Sequence, residues 1–357
     1  MKILSKNEIF NIRNNIKFFN PDFLSIRQLM LKKKFIAAIC GPTCSGKSIL
    51  AFNLAKIFDT DIISIDSMQV YSGLDIGTDK YDPAEIGVHQ YMTDIFEPDH
   101  KLTVVEFRDI CRNVIEEEFF KKDRIPLLAG GSGLYLRAVI DELDFTTGNC
   151  NCNIAAGEDK KVREGLYNEI ERNSSSLLKF YMKLQEVDPL YCARISPNDK
   201  KRIVRALEVY TVTGRPFSSF QDKWQTRKSI YNCCMIGLLT EKEKLHASIE
   251  KRVDMMLKKG LINEVEGLVK KGYKDNNSLK QAVGYKEVLK YLNGDINIDI
   301  CRQEIIKNTK KLAKKQMTWF KADSRINWIR TDNYDNISDL IMHVINIFWK
   351  DVSNEYN

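Results

Sequence analysis

Apolar positions divide the chain into short buried runs and longer amphipathic stretches. Phe35 to Cys40 is an unbroken apolar run and reads as a buried strand. Ile62 to Ile65 is a second, β-branched run, and Leu127 to Ala129, after Arg124-Ile125-Pro126, is a third. Ser229 to Leu239 contains a fourth, which reads as the last strand. Helical spacing fills the intervals. Ile49 to Phe58 follows the first strand. A helix opens at Thr103 and runs to about Lys122, with Val104, Phe107, Cys111, Val114 and Ile115 on one stripe. Strands alternating with helices predict a parallel sheet covered by helices, an α/β core.

The pattern changes after Asp144. Residues 145–157 are Thr-, Gly-, Asn- and Cys-containing with little apolar content, and mark a domain edge. Residues 158–215 read as wholly helical, with Ser196 as N-cap, Pro197 at the first helical position and Gly214 as the stop. Helices follow over 241–272 and from Gly284 onward. The stretch 301–322 carries Ile306, Ala313, Met317 and Phe320 on one face, and seven Lys/Arg against the single acid Glu304. The expected organisation is an extension over 1–34, a core over 35–144, a helical insertion over 145–215, the rest of the core with C-terminal helices over 216–330, and a tail helix over 331–357. Residues 1–30 look polar and weakly helical, a dispensable arm ahead of a core that starts near Met30.

Charge sharpens this picture. The net charge is +7, yet residues 1–40 hold eight Lys/Arg against two acids, so the remainder is near neutral with local basic patches. Such patches suit either nucleic acid or plain solvation. Nine cysteines lie scattered; Cys150 and Cys152 are too close for a zinc knuckle and no second pair follows at ligand spacing. Free thiols in that number fit a reducing cytoplasm. No apolar run is long enough to span a bilayer, and residues 1–34 lack the apolar core of a secretory signal. A membrane-free protein, acting as a monomer, is expected.

The chemistry begins where the first strand ends. Gly41-Pro42-Thr43-Cys44-Ser45-Gly46-Lys47-Ser48 matches G-x-x-x-x-G-K-[ST], flanked by strand and helix as the phosphate-binding loop requires. Its N–H groups form an anion nest at a helix N-terminus, Lys47 adds a mobile positive charge, and the Ser48 hydroxyl can hold a Mg²⁺ bridging phosphate oxygens. The motif specifies a di- or triphosphate without saying what becomes of it. Asp66, at the end of Ile62–Ile65, shares the same sheet rim, where ligands of such sheets gather. It is either a proton acceptor or magnesium-orienting carboxylate, or a turn cap. Gly130-Gly131-Ser132-Gly133 is a second glycine-rich strand-to-helix turn, a candidate second wall with Ser132 facing an anion.

These segments, taken together, resemble the tRNA dimethylallyltransferases. The resemblance rests on GPTCSGKS, ISIDSMQVY, DIGTDK, LAGGSGLYLRA, PNDKKRIVRALEVY, RVDMM with GLINEV, QAVGYKE and LAKKQMTWF, and covers about residues 35–328 in the family's order. It implies a P-loop NTPase-like core with a helical insertion. It implies transfer of a dimethylallyl group from its diphosphate to N6 of an adenosine 3′-adjacent to the anticodon, with Mg²⁺ as cofactor. In that reading Gly41 to Ser48 and Arg252 hold the diphosphate, and Lys47 and Ser132 assist at the reacting centre. Asp66 takes the N6 proton. The anticodon stem-loop lies along Asp66, Ser67, Met68 and Gln69, along Lys201, Arg202, Ile203, Val204 and Arg205 of the insertion, and along Gly284, Tyr285 and Lys286. The chain departs from the family at Lys242 and Ser248, where arginine is usual. An enzyme acting on free adenine nucleotides shares the loop and the aspartate, and a phosphate-loop kinase or ATPase shares the loop; the basic helices favour tRNA.

Overall fold

The computed structural model describes residues 2–16, 23–143, 159–173, 175–220 and 227–353. Two units emerge. One comprises Met1–Ile140 with Tyr231–Asn357, and the other Asp141–Ile230. The stretch around Cys150 and Cys152 lies outside the described residues.

The larger unit is built on a six-stranded, wholly parallel sheet. Its strands are β1 (Phe35–Cys40), β2 (Ile62–Ile65), β3 (Gln90–Tyr91), β4 (Leu127–Gly130), β5 (Asn232–Leu239) and β6 (Ile326–Arg330), in spatial order β3-β2-β4-β1-β5-β6. Alternate residues of β1 enter opposite cores. Ile36, Ala38 and Cys40 pack with the helices Val104–Val114, Gly133–Ile140 and those of 242–321, while Phe35, Ala37 and Ile39 pack with Lys47–Phe58 and the two terminal helical regions. A strand buried on both faces has no polar alternation, which is why the apolar runs identified it.

Three expectations about this unit are corrected. The run ending at Leu239 is not the last strand, because β6 pairs in parallel with β5 from Met235↔Ile326 to Leu239↔Arg330. The two-residue β3 at the opposite edge was also not foreseen. Nor are residues 1–34 a polar arm. The helices Lys6–Ile16 and Phe23–Lys32 bury Ile9, Ile12, Ile26 and Met30 in the second core. Arg13 donates to the carbonyls of Ile57 and Lys56 at 2.9 and 2.7 Å, capping the helix Lys47–Phe58 where cations suit the helix dipole. The tail helix Ile337–Ser353 closes the same core with Leu340, Ile341, Val344, Ile345 and Phe348. Met30 is fully buried, so Met30→Ala should lower unfolding stability by about 2–5 kcal/mol, as urea denaturation would measure. An arm that contributes nothing would leave the midpoint unmoved.

The smaller unit is helical: Lys160–Arg172, Ser176–Val187, Pro189–Cys192 and Lys200–Thr213 enclose Ile170, Phe180, Leu184, Tyr191, Ile203, Val204 and Leu207. It extends past residue 215, since Phe217 stacks edge-on against Tyr191 at 4.8 Å and Ser218 N–H donates to buried Asp188. Its last long helix starts later than Ser196-Pro197 suggests. Asp199 is the N-cap, accepting from the Arg202 N–H, while Ser196 Oγ accepts from Asn198 N–H in a preceding turn.

Candidate active site

β1 runs directly into the phosphate loop. Gly46, at φ 88°, takes the left-handed turn that lets the helix Lys47–Phe58 begin beside it. Cys44, also left-handed, sits at the cleft surface. Lys47 Nζ lies over the loop and donates to the Pro42 carbonyl at 2.6 Å. Burial pushes its ammonium down to about 8, against the upward pull of Cys44; the Arg252 guanidinium lowers it further. Buried Cys40 behind the loop is a filler thiol, pushed up to about 12 by desolvation.

Asp66 follows β2, and only β4 separates β2 from β1. The loop and the carboxylate therefore share the C-terminal edge of the sheet. Asp66 Oδ1 accepts the Met68 N–H at 2.8 Å, so one oxygen of a carboxylate that lines the cleft fixes the turn. The turn combines both sequence readings, since a capping aspartate and a cleft carboxylate are here one residue. Gly130 makes the close approach possible: a Cβ there would stand 2.0 Å from the Ile65 carbonyl oxygen. Beyond it, Ser132 N–H donates to Ile65 O at 3.3 Å and Ser132 Oγ accepts from Ser67 N–H at 3.4 Å. Ser132 thus ties the second glycine turn to the Asp66 turn, with its N–H directed at the strand rather than at an anion.

The cleft holds a cavity of about 320 Å³. Thr43, Lys47 and Ser48 line one part, Asp66, Met68 and Gln69 another, and Val253, Met256, Ala282, Val283 and Leu312 add an apolar wall. Arg252 reaches across to the loop, its Nη1 donating to Thr43 Oγ1 at 2.8 Å and standing 3.4 Å from Asp79. The departure at Ser248 falls one turn earlier on the same helix and lines the cleft, whereas Lys242 lies exposed at the helix start.

Other residues of this site were not singled out. Gln316 accepts the Thr43 N–H through Oε1 at 2.9 Å, and its amide packs against Gly131. Asp79 and Tyr81 line the cleft from the DIGTDK segment and the residue after it. Their signal was present as motif letters, DIGTDK and LAKKQMTWF, whose spatial partners lie far away in sequence.

Several expected RNA contacts are interior. Ile203 and Val204 are buried in the helical unit's own core, because alternate faces of an amphipathic helix cannot both meet solvent. Arg205 is engaged with buried Glu208, while Lys201 and Arg202 are exposed. Tyr285 is fully buried and Gly284 lies beneath Met256; of that trio only Lys286 reaches the surface in part. Gln69 lines the cleft but has its amide committed, accepting from Ser64 Oγ at 2.6 Å and donating to Thr78 O at 3.0 Å. The helix Ile298–Lys321 does present an exposed lysine face with Lys307, Lys311, Lys314, Lys315 and Lys321, whereas Arg302 and Lys310 pair with Asp254 and Glu250.

Among the described residues no group of three His, Cys, Asp or Glu side chains could hold a metal ion. The donor set fits a Mg²⁺ that takes most of its ligands from phosphate oxygens and water: a first-turn hydroxyl, Ser48, with Asp66 and Asp79 on the same cleft. No helix among the described residues is long and apolar enough to cross a membrane.

Known proteins resemble this chain over most of its length. The family model for IPP transferase matches residues 69–323, and that for isopentenyl transferase matches residues 34–94. A tRNA dimethylallyltransferase of Acetivibrio thermocellus is 38% identical over 310 residues, covering 87% of this chain and 96% of that protein. The crystal structure of a full-length tRNA isopentenylpyrophosphate transferase from Bacillus halodurans superposes with a TM-score of 0.64 at 35% identity, over 91% of this chain and 98% of the other. A eukaryotic dimethylallyltransferase, described in structures as acting on tRNA, superposes with a TM-score of 0.73 at 25% identity, over 90% of this chain and 80% of the other.

Proposed function

We propose a reaction for this chain from the premise that it belongs to the IPP transferase family. The chain is an enzyme that prenylates tRNA. The donor we propose is dimethylallyl diphosphate, and the acceptor N6 of an adenosine 3′-adjacent to the anticodon. One observation carries this reading: a single cavity joins an anion cradle, an apolar wall and a carboxylate. In this reading the five-carbon allyl group lies against Val253, Met256 and Leu312 with its diphosphate on the loop.

In the proposed reaction N6 attacks the allylic carbon, the carbon–oxygen bond to diphosphate breaks, and diphosphate leaves. Lys47, Arg252 and the loop N–H groups neutralise the charge growing on the leaving group. A Mg²⁺ held by Ser48 would supply further charge neutralisation there. Asp66 accepts the proton that N6 loses. The adenine must leave its stack to reach a cleft of this kind. Lys201 and Arg202 of the helical unit, and the lysine face of Ile298–Lys321, supply phosphate contacts to the anticodon stem-loop.

The test is to incubate the protein with undermodified tRNA, Mg²⁺ and labelled dimethylallyl diphosphate. Label in tRNA, outcompeting any label in added AMP, is the expected result. Label in AMP alone, or ATP hydrolysis with no prenyl transfer, would overturn the reading.

A further inference from the structure

Arg252, besides donating to Thr43 of the phosphate loop, touches a second segment of the chain. That segment is Asp75–Asp79, of which Gly77, Thr78 and Asp79 line the cleft. On one side Gln69, three residues beyond Asp66, donates to Thr78 O. On the other, Gly77 O accepts from Arg252 Nη2 at 3.4 Å and Asp79 stands 3.4 Å from Nη1. What suspends the segment comes from two helices that do not touch the reacting groups. Glu264, on the helix Leu261–Lys270, accepts the Ile76 N–H through Oε2 at 2.8 Å and the Tyr285 hydroxyl through Oε1 at 2.5 Å. The Tyr285 hydroxyl in turn accepts the Gly77 N–H at 3.2 Å.

The consecutive N–H groups of Ile76 and Gly77 are thereby satisfied by one hydrogen-bonded pair, a buried tyrosine and a half-buried glutamate. The fit is close. A Cβ at Gly77 would stand 2.2 Å from the Tyr285 ring, so only glycine lets the backbone lie on the phenol. Tyr285 is fully buried and Glu264 half-buried, and neither lines the cleft. Their hydrogen bonds are directed at the backbone that presents Gly77 O and Asp79 to Arg252.

We propose that Glu264 and Tyr285 are positioning residues for the diphosphate of the donor: they act through the 75–79 segment on Arg252, fixing its guanidinium over Thr43 of the phosphate loop. The inference rests on the donor reading above and adds residues that lie outside the cleft. It explains why Tyr285 stands in one of the shared motifs without facing solvent.

The experiment is a double-mutant cycle read by binding of inorganic diphosphate with Mg²⁺ in calorimetry. Tyr285→Phe keeps the ring that fills the core and removes only the hydroxyl. It should weaken diphosphate binding about 3- to 10-fold, the worth of a lost buried hydrogen bond. It should also raise KM for the prenyl donor by a similar factor, with kcat and KM for tRNA within about twofold. In an Arg252→Ala background the same change should cost nothing further. Glu264→Gln, whose amide offers one acceptor where two donors point, should behave alike and serves if Tyr285→Phe proves unstable. Equal losses in both backgrounds, or no loss in the wild-type background, would overturn the proposal while leaving the donor reading intact. Wild-type protein that binds no diphosphate would overturn the donor reading, and the proposal with it.

Discussion

Replacing Asp66 by Asn is expected to slow prenyl transfer to tRNA by about 10²–10⁴-fold, the range a positioned general base contributes, while diphosphate binding changes by less than about threefold. The asymmetry follows from the turn. Asp66 Oδ1 accepts the Met68 N–H, an interaction an asparagine oxygen keeps, so the turn at the end of β2 survives the change. What disappears is the second carboxylate oxygen as a proton acceptor. Single-turnover transfer, measured beside calorimetric binding of diphosphate, separates the two effects. Equal loss of transfer and binding would reassign Asp66 to metal orientation or to the fold.

Lys47→Ala should lower transfer by about 10²–10³-fold and weaken donor binding with it, because the charge it supplies meets the leaving diphosphate. The pH dependence gives a second signature. Burial pushes the Lys47 ammonium down to about 8, so the free protein carries this charge below that pH and loses it above. The kcat/KM for the donor should therefore fall as pH rises through about 8. Diphosphate binding near that pH should take up a proton, since a bound anion favours the ammonium. Stability runs the opposite way. The folded-state value lies below the unfolded one, so the unfolded chain binds more protons between the two, and stability rises with pH across that window. Lys47→Ala should abolish the proton uptake seen in buffers of different ionisation enthalpy; uptake that persists would assign the titration to another group.

The strands at the centre of the sheet were legible because burial on both faces leaves an uninterrupted apolar run. β1, β2, β4 and β5 are of this kind. β6 escaped because an edge strand buries only part of its surface: Ile326 and Ile329 are inside while Asn327 and Arg330 face out, a pattern too short to separate from a helix end. The burial of the N-terminal helices escaped for a different reason: their anchoring by Arg13 and Arg27 to carbonyls at the end of Lys47–Phe58 is a tertiary contact between distant segments.

The active site divides in the same way. The phosphate loop is a local device: consecutive residues supply the turn, the N–H groups, the lysine and the hydroxyl, so eight letters carried it. Asp66 was legible from its place after a strand, since parallel sheets collect ligands at one edge. Motif letters alone could not tell which neighbours face the cleft. Ile203, Val204 and Tyr285 lie in segments shared with the family yet point into cores, whereas Gln316 and Asp79 face the phosphate loop and Arg252.

The sequence by itself determined the α/β class, the strand–loop–helix that carries Gly41 to Ser48, the place of Asp66 at the edge of the sheet, and membership of a tRNA-prenylating family. Each depends on residues close in the chain, or on their order along it. Only the tertiary structure decided that β6 completes the sheet, that the helices Lys6–Ile16 and Phe23–Lys32 belong to a core, that Arg252 reaches Thr43, and that Glu264 and Tyr285 hold the backbone of Ile76 and Gly77. Those contacts join positions far apart in the chain: Arg252 and Thr43 are 209 residues apart. Apolar periodicity marks which face of an element is buried, but not which distant segment covers it.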